Sequence, residues 1–175
     1  MSENLFIDSP LKGALIPLAA VGDEIFSSGV AGKGIAIKNP DGKLIAPFSG
    51  KVEFIAEPGV IGLKSFGGVD LLIHVGLNTC KFIGESFKPQ VSAGNIIRRG
   101  QVLLTFDPKE MTCEGFDATT PVVVTNPENF GDIVFELGGQ RIFAQRIDRK
   151  GFFFTLKKFL CYNLRGGIDY GQYQA

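Results

Sequence analysis

The sequence predicts an all-β fold, a small barrel or sandwich, on three observations. Strand-length runs with two-residue alternation or β-branched composition recur along the chain, as in Lys51-Val52-Glu53-Phe54-Ile55, residues 102–106 and Pro121-Val122-Val123-Val124-Thr125. Twenty-three glycines and nine prolines break these runs at short intervals, as in Asn39-Pro40-Asp41-Gly42 and Phe66-Gly67-Gly68. Helical character is confined to two short segments, residues 108–115 and residues 127–137. The second follows Asn126, a cap candidate, and carries Glu128 in its first turn, where the helix dipole favours negative charge.

Taken in chain order, Ser9-Pro10-Leu11-Lys12-Gly13-Ala14-Leu15 places a proline turn ahead of an apolar strand start. Ala46-Pro47-Phe48-Ser49-Gly50-Lys51-Val52 repeats that order of proline, apolar residue, glycine and apolar residue. Duplicated strand-turn-strand units of this kind suit a small sandwich whose two halves interlock. Asp41-Gly42-Lys43 reads as a hairpin tip. Val69-Asp70-Leu71-Leu72-Ile73-His74-Val75-Gly76-Leu77 is a largely apolar run that holds one imidazole near its centre, besides Asp70 close to its start. A second pair of related segments is Gly94-Asn95-Ile96-Ile97-Arg98-Arg99-Gly100-Gln101-Val102-Leu103 and residues 140–153. No interior stretch reads as a linker, so residues 1–158 are expected to form one domain. Residues 159–175, apolar and aromatic at first and then Gly- and Tyr-containing, are expected to be a C-terminal extension.

Composition narrows the function classes. With 175 residues and 45% apolar content the chain buries one core, and length favours a single domain. Net charge is zero and the basic residues are dispersed, which leaves no electrostatic footprint for nucleic acid. Cys80, Cys113 and Cys161 are odd in number and widely spaced, the pattern of reduced thiols in a cytoplasmic protein. Met1-Ser2-Glu3-Asn4 lacks the basic start of a signal peptide. The longest apolar stretch, residues 151–164, is interrupted by Lys157 and Lys158 and falls short of the ~20 residues of a membrane span. The expectation is a soluble, cytoplasmic protein.

His74 is the single histidine of the chain. Imidazole is both a neutral nucleophile and a cation close to physiological pH, with an unperturbed pKa of about 6.5, so it is the first residue to examine for chemistry. A lone imidazole excludes zinc-hydrolase sites, which draw on several His or on close Cys sets. Asp70, the nearest carboxylate on the same strand face, lies some 13 Å away at about 3.3 Å per residue, outside a shared coordination shell. No metal and no cofactor are expected. The residues alone leave open the opposite reading, a histidine held by backbone groups with no chemistry to perform.

The wider pattern resembles a known family. Leu71-Leu72-Ile73-His74-Val75-Gly76-Leu77-Asn78-Thr79, followed by Gly84-Glu85-Ser86-Phe87, is similar to the active-site signature of the glucose-type enzyme IIA of the bacterial phosphoenolpyruvate:sugar phosphotransferase system. Gly34-Ile35-Ala36-Ile37, Ile45-Ala46-Pro47-Phe48-Ser49-Gly50 and Thr120-Pro121-Val122-Val123-Val124-Thr125-Asn126 follow in the family's order, so the likeness covers roughly residues 8–158. It implies a β-sandwich of the duplicated hybrid motif type with short helical turns. It implies that His74 accepts a phosphoryl group from the phosphocarrier HPr and passes it to a cysteine on a IIB domain for sugar uptake. A neutral imidazole attacks phosphorus without an activating base, so catalysis there is mostly positioning and charge stabilisation. The family pattern also bonds one ring nitrogen to a backbone carbonyl near Gly76. Ile25, Phe26, Val30 and Leu72 fall at positions of the family's apolar docking face, and Asp23 falls where the family has an acidic residue facing the carrier's arginine.

Two departures stand against this pattern. The family's second histidine, which faces the first across the site, has no counterpart in Phe54-Ile55-Ala56-Glu57-Pro58-Gly59-Val60-Ile61-Gly62. At the position of Asn78 the family carries an aspartate. A lost transition-state donor costs about 100- to 1000-fold in rate, if oxyanion-hole losses are a guide. The rival expectation is therefore a non-catalytic regulatory module that keeps the IIA surface for partner contacts. Three further readings are weaker. Lys43 on its turn has the placement of a biotinyl or lipoyl carrier lysine, without the flanking residues a ligase would read. Lysostaphin-type metallopeptidases need an HxH pair. Gly32-Lys33-Gly34 lacks the spacing of a P-loop.

Overall fold

The structure, a computed structural model, describes residues 4–56, 58–79, 87–130, 133–135 and 141–145. Its strands are β1 (Asn4–Asp8), β2 (Ala14–Pro17), β3 (Lys33–Lys38), β4 (Lys43–Ile45), β5 (Gly50–Ala56), β6 (Val60–Ser65), β7 (Asp70–His74), β8 (Lys88–Pro89), β9 (Ile96–Ile97), β10 (Val102–Thr105), β11 (Thr120–Val124), β12 (Ile133–Phe135) and β13 (Arg141–Gln145). The helices are α1 (Glu24–Ser27) and α2 (Pro108–Cys113). An antiparallel seven-stranded sheet runs in the order β2-β3-β11-β7-β6-β5-β9, and two three-stranded sheets run β4-β10-β8 and β1-β13-β12. This is the all-β sandwich that the alternating runs require.

The large sheet is apolar on both faces over its middle because the interior positions of its central strands are apolar, with polar residues such as Lys33, Lys64 and Asp70 confined to the strand ends. Ile35 and Ile37 of β3, Ile61 and Leu63 of β6, Leu71 and Ile73 of β7, and Val122 and Val124 of β11 enter one core. That core is closed from the other side by Ile7, Leu44, Leu103 and Leu104, residues of β1, β4 and β10. The alternate residues Ala36 and Val123 face the opposite way and pack with Leu18, Val21, Phe26 and Leu77 in a second, smaller cluster. Leu72 and His74 share this second face, since side chains alternate along a strand. Pro121 is tolerated in a central strand because the β7–β11 ladder begins at Val122↔Ile73, so its missing N–H falls one residue beyond the end of that pairing.

The repeated segments occupy equivalent places. Asp8, one residue before the first copy, donates its N–H to the Pro47 carbonyl at 3.1 Å, and Ile45, one residue before the second, donates to the Pro10 carbonyl at 2.8 Å. The two copies thus grip each other reciprocally. Leu11 and Phe48 are buried in the same core. Both repeat glycines are dictated by close approach: a Cβ at Gly13 would lie 2.6 Å from Ile37 Cγ2, and one at Gly50 would lie 2.1 Å from the Lys64 carbonyl oxygen. An ion pair from Arg99 to Asp8 adds a surface tie between β1 and the turn after β9.

Three expectations are corrected. The described residues of 127–137 do not form the expected helix: a 3-10 turn, Pro127–Asn129, precedes β12, where Ile-Val-Phe pairs with β13. β-branched and aromatic residues next to an available partner strand favour pairing over a short isolated helix. Asn126 makes no side-chain cap bond. Its Oδ1 instead accepts from the Asp70 N–H and its Nδ2 donates to the Gly68 carbonyl, both at 2.9 Å, tying the β6–β7 turn to the end of β11. Asp41-Gly42-Lys43 is not a hairpin tip either, because β3 and β4 belong to different sheets and the segment crosses between them. The helix expected at residues 108–115 is present as α2, capped by the Asp107 carboxylate, which accepts from the N–H groups of Lys109 and Glu110. The partner of the second repeat and the extension at residues 159–175 lie outside the described residues, except for 141–145 within β13. So do Cys80 and Cys161, while Cys113 is a free, exposed thiol. Among the described residues no helix is long and apolar enough to cross a membrane.

Replacing the buried Asn126 by alanine strands the Asp70 N–H and the Gly68 carbonyl together, and unsatisfied buried groups cost about 1–3 kcal/mol each. Asn126→Ala is expected to lower the unfolding free energy by about 2 kcal/mol with an unchanged m-value, measured by urea denaturation. Asn126→Asp, which keeps the acceptor and loses the donor, should fall between.

Candidate active site

β7 supplies the central group of the site by simple alternation. Leu71 and Ile73 enter the main core, so Leu72 and His74 emerge on the face of the smaller cluster, and among the described residues both are half-buried there. His74 is half-buried and sits directly opposite Val60 of β6 in the ladder. Immediately beyond it the chain leaves the sheet at Gly76, whose φ of +77° only glycine adopts readily. That turn brings the Gly76 carbonyl back to 2.7 Å from His74 Nδ1. A carbonyl only accepts, so Nδ1 carries the proton and Nε2 of the neutral ring keeps an unshared lone pair.

The surroundings of the ring are apolar. Phe26 meets it edge-on, with centroids 5.6 Å apart and planes at 69°. Phe26 is only 5% exposed and fixed in the second cluster, so of the residues assigned to a docking face it acts as the wall behind the imidazole and not as open surface. Ile25 within α1 and Val30, shortly after it, are 62% and 84% exposed. Asp23 caps α1: its carboxylate accepts from the Ile25 N–H at 2.9 Å and remains half-exposed. Leu72 is half-buried between Gly62 and Val123. Asn78 is exposed in the left-handed region, φ +56°, which asparagine tolerates better than most residues. The structure thus brings Phe26 against His74, sets Gly76 as its hydrogen-bond partner, and places Leu72 on the same face.

Further residues outside the sequence-derived set belong to this neighbourhood. Val60 lies opposite His74. Phe54, 46% exposed, lays its ring over Gly62, where a Cβ would come within 2.2 Å of Phe54 Cε1, and so extends the apolar surface beside Leu72. The signal was available, since a glycine facing an aromatic across a strand pair marks a ring folded over backbone. Met111 and Asp117 approach from behind the Gly76 turn, and only the folded chain reveals them. Gly59 is held at φ +74°, and a Cβ there would lie 2.6 Å from the ring of Phe87, which stacks on Phe106 at 6.1 Å. Among the described residues no group of three or more His, Cys, Asp or Glu is arranged to hold a metal ion.

Comparison with known proteins adds the family. Residues 5–130 match the family of the phosphoenolpyruvate-dependent sugar phosphotransferase system, EIIA 1. A beta-glucoside-specific EIIBCA component of this system from Dickeya chrysanthemi is 45% identical over 129 residues, 73% of this chain and 20% of that protein. A glucose-specific EIIBCA component from Corynebacterium glutamicum is 40% identical over 129 residues, 73% of this chain and 19% of that protein. The chain therefore spans about a fifth of the length of these relatives. Among solved structures, glucose permease IIA from Mycoplasma capricolum superposes with a TM-score of 0.67 at 25% identity, covering 85% of this chain and 93% of its own. The fold, the placement of the motif and the extent of these matches agree: the chain belongs to the EIIA 1 family of the phosphoenolpyruvate-dependent sugar phosphotransferase system.

Proposed function

We propose that this chain is a phosphohistidine carrier, taking a phosphoryl group from HPr onto His74 and handing it to a IIB cysteine of a sugar permease on the cytoplasmic side of the membrane. The observation that supports this reading most is the 2.7 Å bond from His74 Nδ1 to the Gly76 carbonyl. It keeps the proton on Nδ1 and leaves Nε2 as the nucleophile, with no base required. In the step, an Nε2–P bond forms as the N–P bond of the donor phosphohistidine breaks, and the positive charge on the new phosphoimidazole is relieved through the Nδ1–H···O=C bond. The exposed Ile25 and Val30 and the half-buried Leu72 offer an apolar rim from which a docked partner excludes water. Asp23, whose carboxylate caps α1 at Ile25, and the exposed Asn78 would serve as polar contacts for the partner.

One observation favours a second reading, a regulatory protein-binding module that transfers poorly. The position opposite His74 is Val60, which has no donor for phosphoryl oxygens. Gly59, the other site for a second imidazole, is closed to a side chain by its φ and by Phe87.

Incubation with phosphoenolpyruvate, enzyme I and HPr is expected to add one acid-labile phosphoryl group, read by intact mass, and His74→Gln should abolish the gain. Absence of uptake by a folded chain would leave the binding-module reading.

Val60→His should raise onward transfer to a IIB domain by about 10-fold or more, toward the range that one transition-state donor contributes. The comparison is quench-flow decay of the phosphorylated protein, variant against parent. An unchanged rate means that the missing donor does not limit transfer.

A further inference from the structure

One peptide group beside His74 is held at both of its ends. The Gly76 carbonyl accepts from His74 Nδ1 at 2.7 Å, and the N–H of the same amide, that of Leu77, donates to the Asp117 carbonyl at 2.7 Å. A carbonyl whose own amide N–H is bonded is polarised and becomes the better acceptor. The α-carbon of Gly76 is wedged as well: a Cβ built there would lie 2.3 Å from Met111 Cε and 2.6 Å from Thr79 Cγ2. Met111 and Thr79 are both fully buried.

These contacts arise largely from one element, α2. It ends in a Schellman turn in which the Gly115 N–H donates to Thr112 and the Phe116 N–H to Met111, with Gly115 at φ +83°. The chain leaves that turn at Asp117, whose carboxylate accepts from the Thr119 N–H at 2.8 Å. The short helix therefore delivers a side chain, Met111, under Gly76 and a carbonyl, that of Asp117, onto the next N–H. Glycine at positive φ permits several orientations of the following peptide plane, so something outside the turn must choose one.

We propose that Met111 and Thr79 are positioning residues for His74. By clamping the Gly76–Leu77 peptide against Asp117 they keep the Gly76 carbonyl on Nδ1, and so hold the ring in the tautomer with a bare Nε2. The clamp follows from the contacts alone, while its effect on transfer rests on His74 being the phosphoryl acceptor.

The chain's single histidine makes the test direct. In 15N-labelled full-length protein at pH 9, well above ordinary imidazole titration, the parent should show one protonated and one bare ring nitrogen, assigned to Nδ1 and Nε2. Met111→Ala and Thr79→Ser should each move both signals toward the average of the two tautomers. Phosphoryl uptake from HPr should slow at least ~10-fold in kcat with KM for HPr unchanged, since a wrongly set tautomer costs up to ~10⁴-fold in a serine protease. Met111→Leu, which conserves volume, should restore both readouts. Folded Met111→Ala and Thr79→Ser proteins with parental ring signals would overturn the clamp. Should Met111→Ala fail to fold, Thr79→Ser decides alone, because it removes one methyl and keeps the Oγ bond to the Val75 carbonyl. If the ring signals move as expected while even the parent takes up no phosphate, the clamp stands and the carrier reading falls.

Discussion

A sheet that is apolar on both sides has to be covered twice, and that constraint organises this molecule. The face bearing Ile35, Ile37, Ile61, Leu63, Leu71, Ile73, Val122 and Val124 is closed by residues of three other strands and forms the main core. Among the described residues, the opposite face packs Ala36 and Val123 against Leu18, Val21, Phe26 and Leu77, with Ile16 and Ala31 beside them, and leaves Leu72 and His74 half-buried. At the edge of that cluster, β7 ends in a histidine. The site is thus a place where burial is deliberately incomplete: dry enough beside Phe26 to fix a ring, open enough at Ile25 and Val30 to meet another surface.

Within that opening the chemistry depends on backbone rather than on charged side chains. One ring nitrogen is committed to the Gly76 carbonyl, the ring edge is packed on Phe26, and the residue opposite is an aliphatic valine. On the proposed function, such a site orients a nucleophile well, and among the described residues the position opposite it offers no donor to an arriving phosphoryl group. A docked partner, bringing its own donors, would complete what the free chain lacks. On that proposal the affinity of the apolar rim and the rate of transfer would be linked, because the same contact that binds the partner would also assemble the reacting centre.

Much of the sheet was legible in the sequence because period-two alternation and β-branched runs translate directly into strands, as at Val122 to Val124. His74 was legible as a candidate because it is the chain's single histidine and the polar interruption of the apolar stretch from Leu71 to Leu77. Phe26 was legible as a neighbour only through family resemblance, and its burial was not, since nothing local says that a Phe in a four-residue helix turns inward to pack on a distant strand. Asn126 was misread for the complementary reason. Its local context suggests a helix cap, but two unsatisfied backbone groups of the Gly68–Asp70 turn, far away in sequence, were the stronger claim on its amide. The same holds for Ile133 to Phe135, where an available partner strand overrode a local helical signal. Met111 and Asp117 carry no motif at all; their role exists only in the geometry of α2 against the Gly76 turn.

The reciprocal bonds between the repeated segments bear on how the fold comes together. Asp8 needs Pro47 in place and Ile45 needs Pro10, so neither copy completes its hydrogen bonding before the other arrives. Each of these bonds closes a loop of a few dozen residues, and the entropy of closing it is returned only when the second bond forms within the same loop. Once the first is made, the second comes nearly free of that cost. Order in the N-terminal segment and order in the turn before β5 are therefore coupled.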